Sequence, residues 1–286
     1  MQARIWGCRG SLATPGRDTV RYGGNTSCLE VVLDDGTTLV LDAGTGARAL
    51  GLELTSNGAP IHLLLTHLHL DHLEGLGFFG PIWNAENEVH IWGPASPVRS
   101  LAERIAGYLS PPLFPIQLAD VPARLVFHDV PDEPWEIGGA RVTAAQVAHP
   151  GPTVGYRIEA DGAVLAYIPD HEPTLGTDVA ELTLDWVSGA GVAEDADVLL
   201  HDSQYFEDEY DDRVGWGHSS VAQTVAFARL ARVRRLILFH HDPLHTDRDL
   251  VELLARAREL WDGIGTAPEL AREGETIVVA RAPAAA

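Results

Sequence analysis

The chain contains no lysine: all twenty of its basic residues are arginine. That bias carries no mechanism by itself, but the shortage of positive charge does. Twenty cations face 41 acidic residues, for a formal net charge of -21 and a pI ≈ 4.8. Non-specific nucleic-acid binding needs a basic face that displaces counterions, so the balance argues against that class. A small phosphate-bearing substrate stays open, because a few local cations or metal ions suffice to bind one. Cysteine is also scarce. Cys8 and Cys28 form no C-x-x-C pair, which excludes a cysteine-based zinc knuckle and argues against a disulfide framework. No stretch approaches the ~18 uninterrupted apolar residues of a membrane span. The opening segment, Met1 to Trp6, lacks the apolar core of a signal peptide, so a reducing, cytoplasmic location is expected.

The 286 residues, 45% hydrophobic and 21% charged, match a soluble globular protein and are read as one domain over 1–286. Residues 282–286 are expected to be a disordered tail. β-type runs at 29–33 and 38–42 flank Asp34-Asp35-Gly36, a hairpin signal. A short helix is predicted at 47–54 and a buried strand at 61–65. A longer helix is predicted over 94–109, followed by a proline-rich stretch at 111–122 that could be a lid, a pocket wall or a loop. Further strands are predicted at 124–128, 141–148, 155–160, 164–168, 198–201, 235–239 and 276–281. Helical periodicity returns at 219–230 and 249–260. Strands mixed with helices throughout point to two packed sheets with helices outside, an α/β (α+β) arrangement.

The histidines are not evenly spread. His67, His69, Asp71 and His72 fall within six residues, directly beyond the buried strand. These are the nitrogen and oxygen ligands that zinc and similar divalent ions accept. Two histidines at i and i+2 can share one ion, while Asp71 and His72, opening the next helix, can face a second.

Thr66-His67-Leu68-His69-Leu70-Asp71-His72 resembles the H-x-H-x-D-H signature of the metallo-β-lactamase superfamily. Other landmarks of that family follow in order. Asp42-Ala43-Gly44-Thr45-Gly46 resembles its strand-end aspartate, which supports the histidine loop. His149, Asp170 and His240 match the third histidine of the first metal site, the bridging aspartate and the last histidine of the second. The resemblance implies a four-layer αββα sandwich and a metal set of His67, His69, Asp71, His72, His149, Asp170 and His240. His240 and His241 are adjacent and only one is expected to ligate; His240 is preferred because it follows the strand directly.

Two divalent ions ~3.5–4 Å apart can hold a bridging hydroxide as nucleophile and polarise the scissile group. Zinc is the first choice, with manganese or iron admitted by the same ligands. Gly215-Trp216-Gly217-His218-Ser219-Ser220 resembles the glycine-histidine-serine loop of the ribonuclease Z branch. His218 is therefore the candidate proton donor, its ordinary pKa range suiting the task; the alternative is that it only caps the following helix. Asp71 joins it as a catalytic residue. The segments around Gly7-Cys8-Arg9-Gly10-Ser11, His201-Asp202-Ser203-Gln204-Tyr205 and His240-His241-Asp242 are similar to phosphoribosyl cyclic phosphodiesterases. Arg9 or Arg21 could bind an anionic group, or be ordinary structural arginines. Asp202 and Tyr205 could line the pocket or brace the metal shell. The long basic arm that ribonuclease Z uses for transfer RNA has no equivalent here, and residues 111–122 carry no cation.

These readings combine into a metal-dependent hydrolase that cleaves a phosphodiester in a small or cyclic nucleotide-like substrate. A small phosphorylated substrate is the expected partner, with no stable nucleic-acid partner and no membrane; a homodimer is left open. The alternatives are a lactonase or β-lactamase-like hydrolase and a non-catalytic metal- or nucleotide-binding sensor.

Overall fold

The computed structural model describes residues 1–54 and 58–281; the expected tail at 282–286 lies outside the described residues. The first sheet takes β1 (Gln2–Gly7), β2 (Cys28–Val32), β3 (Thr38–Leu41), β4 (Ile61–Leu64), β5 (Glu88–Gly93) and β6 (Arg124–Asp129). The second takes β7 (Trp135–Ile137), β8 (Ala140–Gln146), β9 (Val154–Ala160), β10 (Ala163–Ile168), β11 (Val198–Asp202), β12 (Leu236–Phe239) and β13 (Glu269–Leu270). β14 (Thr276–Val278) returns to pair with β1, giving the orders β14-β1-β2-β3-β4-β5-β6 and β13-β12-β11-β10-β9-β8-β7.

Each sheet is antiparallel in one half and parallel in the other. β3, β4, β5 and β6 run parallel, as do β10, β11, β12 and β13. Parallel neighbours need crossovers, and helices supply them. The helix Gly46–Glu53 lies between β3 and β4, and Val221–Leu230 between β11 and β12. One consequence matters for function: the carboxyl ends of these parallel strands share an edge, where open α/β sheets bind ligands.

Four layers follow from the burial pattern. Between the sheets, Ile5, Leu29, Val31, Leu39 and Leu41 pack with Val142, Tyr156, Ile158, Leu165 and Leu200. Gly46–Glu53 and Leu101–Tyr108 cover the first sheet through Leu50, Leu101 and Ile105. Val221–Leu230 and Asp247–Leu260 cover the second through Val225, Phe227, Leu250 and Leu253. This is the αββα sandwich that the resemblance implied.

Local chemistry explains the departures from the predicted elements. The helix predicted at 94–109 is confined to Leu101–Tyr108. Pro94 and Pro97 cannot donate to a helical ladder, and Ser100 with Glu103 closes a capping box at the true start. Asp71 and His72 open no long helix; they sit in the single 3₁₀ turn Leu70–His72. The proline-rich segment is a mostly exposed surface stretch, anchored at Phe114 and Leu118. Phe114 packs beside Phe78 and Tyr108, and Leu118 N–H returns to the Leu109 carbonyl.

Candidate metal centre

Every one of the predicted ligands leaves the C-terminal end of a strand or the turn just after it. His67 and His69 follow β4, His149 follows β8, Asp170 follows β10 and His240 follows β12. Buried apolar strands fix these ends, so short polar turns project the side chains into one space. The resulting donors form two adjacent groups. His67, His69 and His149 make one, and Asp71, His72, Asp170 and His240 the other; within each, the candidate ligand atoms lie within 4.8 Å of one another.

Asp170 joins the groups. Its Oδ2 lies 3.7 Å from both His67 Nε2 and His149 Nε2, and its Oδ1 lies 2.9 Å from His72 Nε2 and 3.3 Å from His240 Nε2. Asp71 Oδ2 stands 3.2 Å from both His72 Nε2 and His240 Nε2, and accepts the Ser11 backbone N–H at 2.8 Å. His69 Nδ1 and His149 Nε2 are 3.1 Å apart. Two nitrogens on one tetrahedral zinc are separated by ~3.3 Å, given Zn–N bonds of about 2.05 Å.

The surrounding acceptors set the tautomers. His72 Nδ1–H donates to Asp42 Oδ2 at 2.8 Å, and His149 Nδ1–H donates to the Gly217 carbonyl at 2.8 Å. His240 Nδ1–H donates to Gln204 Oε1 at 2.9 Å. The amide orientation of Gln204 is fixed independently, because its Nε2 donates to Tyr205 and Asp242. In His149 and His240 the proton is held outside and the Nε2 lone pair faces the cage, the state a metal ligand requires; His72 Nε2 also faces the cage, beside Asp170 and Asp71, and must give up its proton to ligate.

Electrostatics divide the cage histidines. Burial alone would raise the Asp170 carboxyl, but His240, His72 and His67 hold it well below the usual range. Burial pushes His67, His69 and His149 down towards the neutral form. His72 goes the other way: against its burial, Asp170, Asp71 and Asp42 raise it well above the ordinary imidazole value. Buried His67 Nε2, His72 Nε2 and Asp170 Oδ1 have no hydrogen-bond partner of good geometry. Leaving such groups without partners is costly, and divalent cations would satisfy all three. The donor set therefore fits a pair of divalent ions.

Two adjacent histidines separate cleanly. His240 has φ 59° and turns its ring into the cage, where a Cβ on Gly10 would come within 2.4 Å of Nδ1. His241 points the other way, its Nε2 3.0 Å from the Ala271 carbonyl. His218 stands at the edge of the cage. Its Nδ1 lies 2.7 Å from Asp202 Oδ2 and 3.9 Å from Asp170 Oδ2, and its ring stacks on His240 with centroids 4.9 Å apart. Burial opposes its charging, yet Asp202, followed by Asp170 and Asp71, raises it to about 9. It is not the helix cap: Ser220 accepts the Gln223 N–H in that role.

Other residues take parts that the sequence left undecided or hidden. Asp42 accepts from Thr66 N–H at 2.8 Å, Thr66 Oγ1–H at 3.0 Å and Tyr167 O–H at 3.0 Å, besides His72. Asp202 braces His218. Arg9 is fully buried and donates to the carbonyls of Gly23, Asp242 and His245, so it supports the loop after His240 and does not present itself to an anion. Glu172, wholly buried, accepts the N–H groups of Gly215 and Gly217 and the Tyr210 hydroxyl. Its only sequence signal was an acid two residues beyond Asp170.

Residues 37–241 match the family model described as a beta-lactamase superfamily domain. Among curated proteins, the chain is 25% identical over 268 residues to a ribonuclease Z of Thermococcus onnurineus, spanning 79% of this chain and 82% of that one. Among solved structures, human tRNase Z, short form, superposes with a TM-score of 0.69 at 18% identity, covering 98% of this chain and 100% of that one. A diphosphatase from the PhnP family gives a TM-score of 0.66 at 16% identity, covering 98% of each.

Proposed function

The chain belongs to the metallo-β-lactamase superfamily, and on that premise we propose that it is a cytoplasmic, metal-dependent phosphodiesterase acting on a small or cyclic nucleotide-like substrate. The observation that carries this reading is His218. Its Nδ1 is anchored on Asp202 at 2.7 Å, which leaves Nε2 for the substrate at the lip of the cage. An imidazole so held delivers a proton to a leaving alkoxide.

His67, His69 and His149 with Asp170 would hold one ion; Asp71, His72, Asp170 and His240 would hold the other. Zinc suits these ligands first, with manganese and iron next. When bound, such a pair supplies a water-derived nucleophile near neutral pH and polarises a phosphoryl oxygen. The chain's own residues do the rest. Asp202 orients the His218 ring, and Glu172 fixes the loop that carries it. Asp42, Gln204 and the Gly217 carbonyl keep the cage nitrogens aimed inward.

The curated relative of Thermococcus onnurineus carries the name ribonuclease Z, yet a small substrate suits this chain better. Its net charge of -21 repels a long polyanion, and residues 111–122 bear no cation. The test is a substrate panel for metal-loaded protein: a cyclic nucleotide, a phosphodiester chromogen, a lactone, a β-lactam and precursor transfer RNA. Turnover of the first two, lost in His218→Ala with metal retained, supports the reading. Exclusive turnover of lactone or β-lactam would sink it, and so would preference for the RNA. Metal and nucleotide binding without any turnover would mark a sensor.

A further inference from the structure

The cage is charged, but its rim is apolar. Leu12 and Leu70, 60% and 61% exposed, flank Ser11 and Asp71, which are joined by a 2.8 Å hydrogen bond at the cage. Trp216, 60% exposed, lies in the loop just before His218, next to Gly217, which abuts His149. Small-molecule sites commonly combine such apolar walls with a few convergent polar groups. Trp216 offers the largest of these surfaces.

The backbone around Trp216 is held tightly. Gly215 and Gly217 have φ 87° and 88°, which suit glycine, and both donate their N–H groups to the buried Glu172 carboxylate at 2.9–3.0 Å. The Gly217 carbonyl accepts from His149 Nδ1, and Trp216 N–H donates to the Arg213 carbonyl at 3.0 Å. A Cβ at Gly217 would strike His149 and Pro150, so the loop is pressed against the cage. These contacts tie the backbone on both sides of Trp216. Among the described residues, no other aromatic ring or arginine packs on that indole. An indole kept in water beside a binding site is surface available to a ligand.

We propose that Trp216 is the platform on which the heterocyclic base of the substrate stacks, so that the enzyme selects base-bearing phosphodiesters over those without a base. The inference rests on the phosphodiesterase reading and adds the residue that would recognise the base of its nucleotide-like substrate. Base–aromatic stacking tolerates every base because each has a π-face. The platform therefore discriminates for the presence of a base and little for its identity.

The experiment measures kcat and KM of metal-loaded wild type, Trp216→Phe and Trp216→Ala. Thymidine 5′-p-nitrophenyl phosphate and methyl p-nitrophenyl phosphate are the probes, since they share a leaving group and differ in the nucleoside, of which only the base offers a π-face to stack. Trp216→Ala is expected to raise KM for the thymidine ester by roughly 5- to 150-fold, the range that stacking spans. KM for the methyl ester should stay within about twofold, and Trp216→Phe should recover most of the difference, because its ring still stacks. Equal shifts for both esters would mean that the loop had moved, and no shift for either would mean that the base lies elsewhere; both overturn the platform and leave the phosphodiesterase reading standing. An unchanged KM ratio with a wild-type dimer that Trp216→Ala dissociates would assign the indole to a second copy and overturn it too. Hydrolysis of neither ester, nor of a cyclic nucleotide, by wild type would overturn both inferences together.

Discussion

Replacing Asp42 by asparagine should weaken the fold and the cage together, and the size of each effect follows from four contacts. One carboxylate oxygen, Oδ2, takes Thr66 Oγ1–H at 3.0 Å, Tyr167 O–H at 3.0 Å and His72 Nδ1–H at 2.8 Å, while Oδ1 takes the Thr66 N–H at 2.8 Å. Asparagine can keep the Oδ1 bond and tolerates the φ of 59° found here. It must then put an NH₂ where Oδ2 stood, facing the Tyr167 hydroxyl and the His72 N–H. Leaving two buried donors unmatched costs about 1–3 kcal/mol each, so the metal-free variant should lose roughly 2–6 kcal/mol of unfolding free energy. His72 also loses the acceptor that aims its Nε2 inward. Comparable losses behind a metal-binding histidine lower affinity about 10- to 100-fold. Urea unfolding of chelated protein reads the first effect, and competition with a chromogenic chelator reads the second. A variant that unfolds earlier but binds metal as tightly as wild type would refute the claim that Asp42 orients a ligand.

Gln204→Leu keeps the volume but removes the acceptor of His240 Nδ1–H, so metal affinity should fall by about 10- to 100-fold in calorimetric titration while the fold persists. Arg9→Leu removes three hydrogen bonds to buried carbonyls and should destabilise the protein by about 3 kcal/mol or more in urea unfolding, with no specific loss of phosphate affinity. His62 sits between β3 and β5, where burial first, then His90 and His128, lowers it to about 4. The unfolded chain takes up that proton near 6.5, so stability is lost as pH falls from 6.5 towards 4. His62→Phe should flatten the melting temperature over that window, and an unchanged pH profile would contradict the assignment.

Only part of the candidate cage was legible from residue type and spacing. The turn from His67 to His72 reads directly from the chain, whereas His149, Asp170 and His240, far apart in sequence, were singled out only by the resemblance to the metallo-β-lactamase superfamily. Elements outside that pattern were harder to see. β1 passes unnoticed because it pairs with both β2 and the distant β14, and Trp6 with Gly7 blurs its alternation. β5 carries His90 and Trp92 on the face shared with His62, so polar atoms occupy positions where a core strand would show leucine. The overlong helix at 94–109 arose from apolar residues around Pro94 and Pro97, whose missing donors ended the matter locally. Glu172 was invisible for another reason: its role depends on two glycine amides more than forty residues away. Arg9 shows the converse, a cation whose glycine-rich surroundings resemble an anion site until its three carbonyl partners are known.

The central claim, a two-ion cage shared through Asp170, is tested most directly by elemental analysis of the folded protein. Wild type purified without added metal, then equilibrated with excess zinc and desalted, should carry about two ions per chain. Asp170→Ala, folded by circular dichroism, should carry fewer than two, since both groups of ligands lose the carboxylate between them. One ion or none in fully folded wild type would contradict the account.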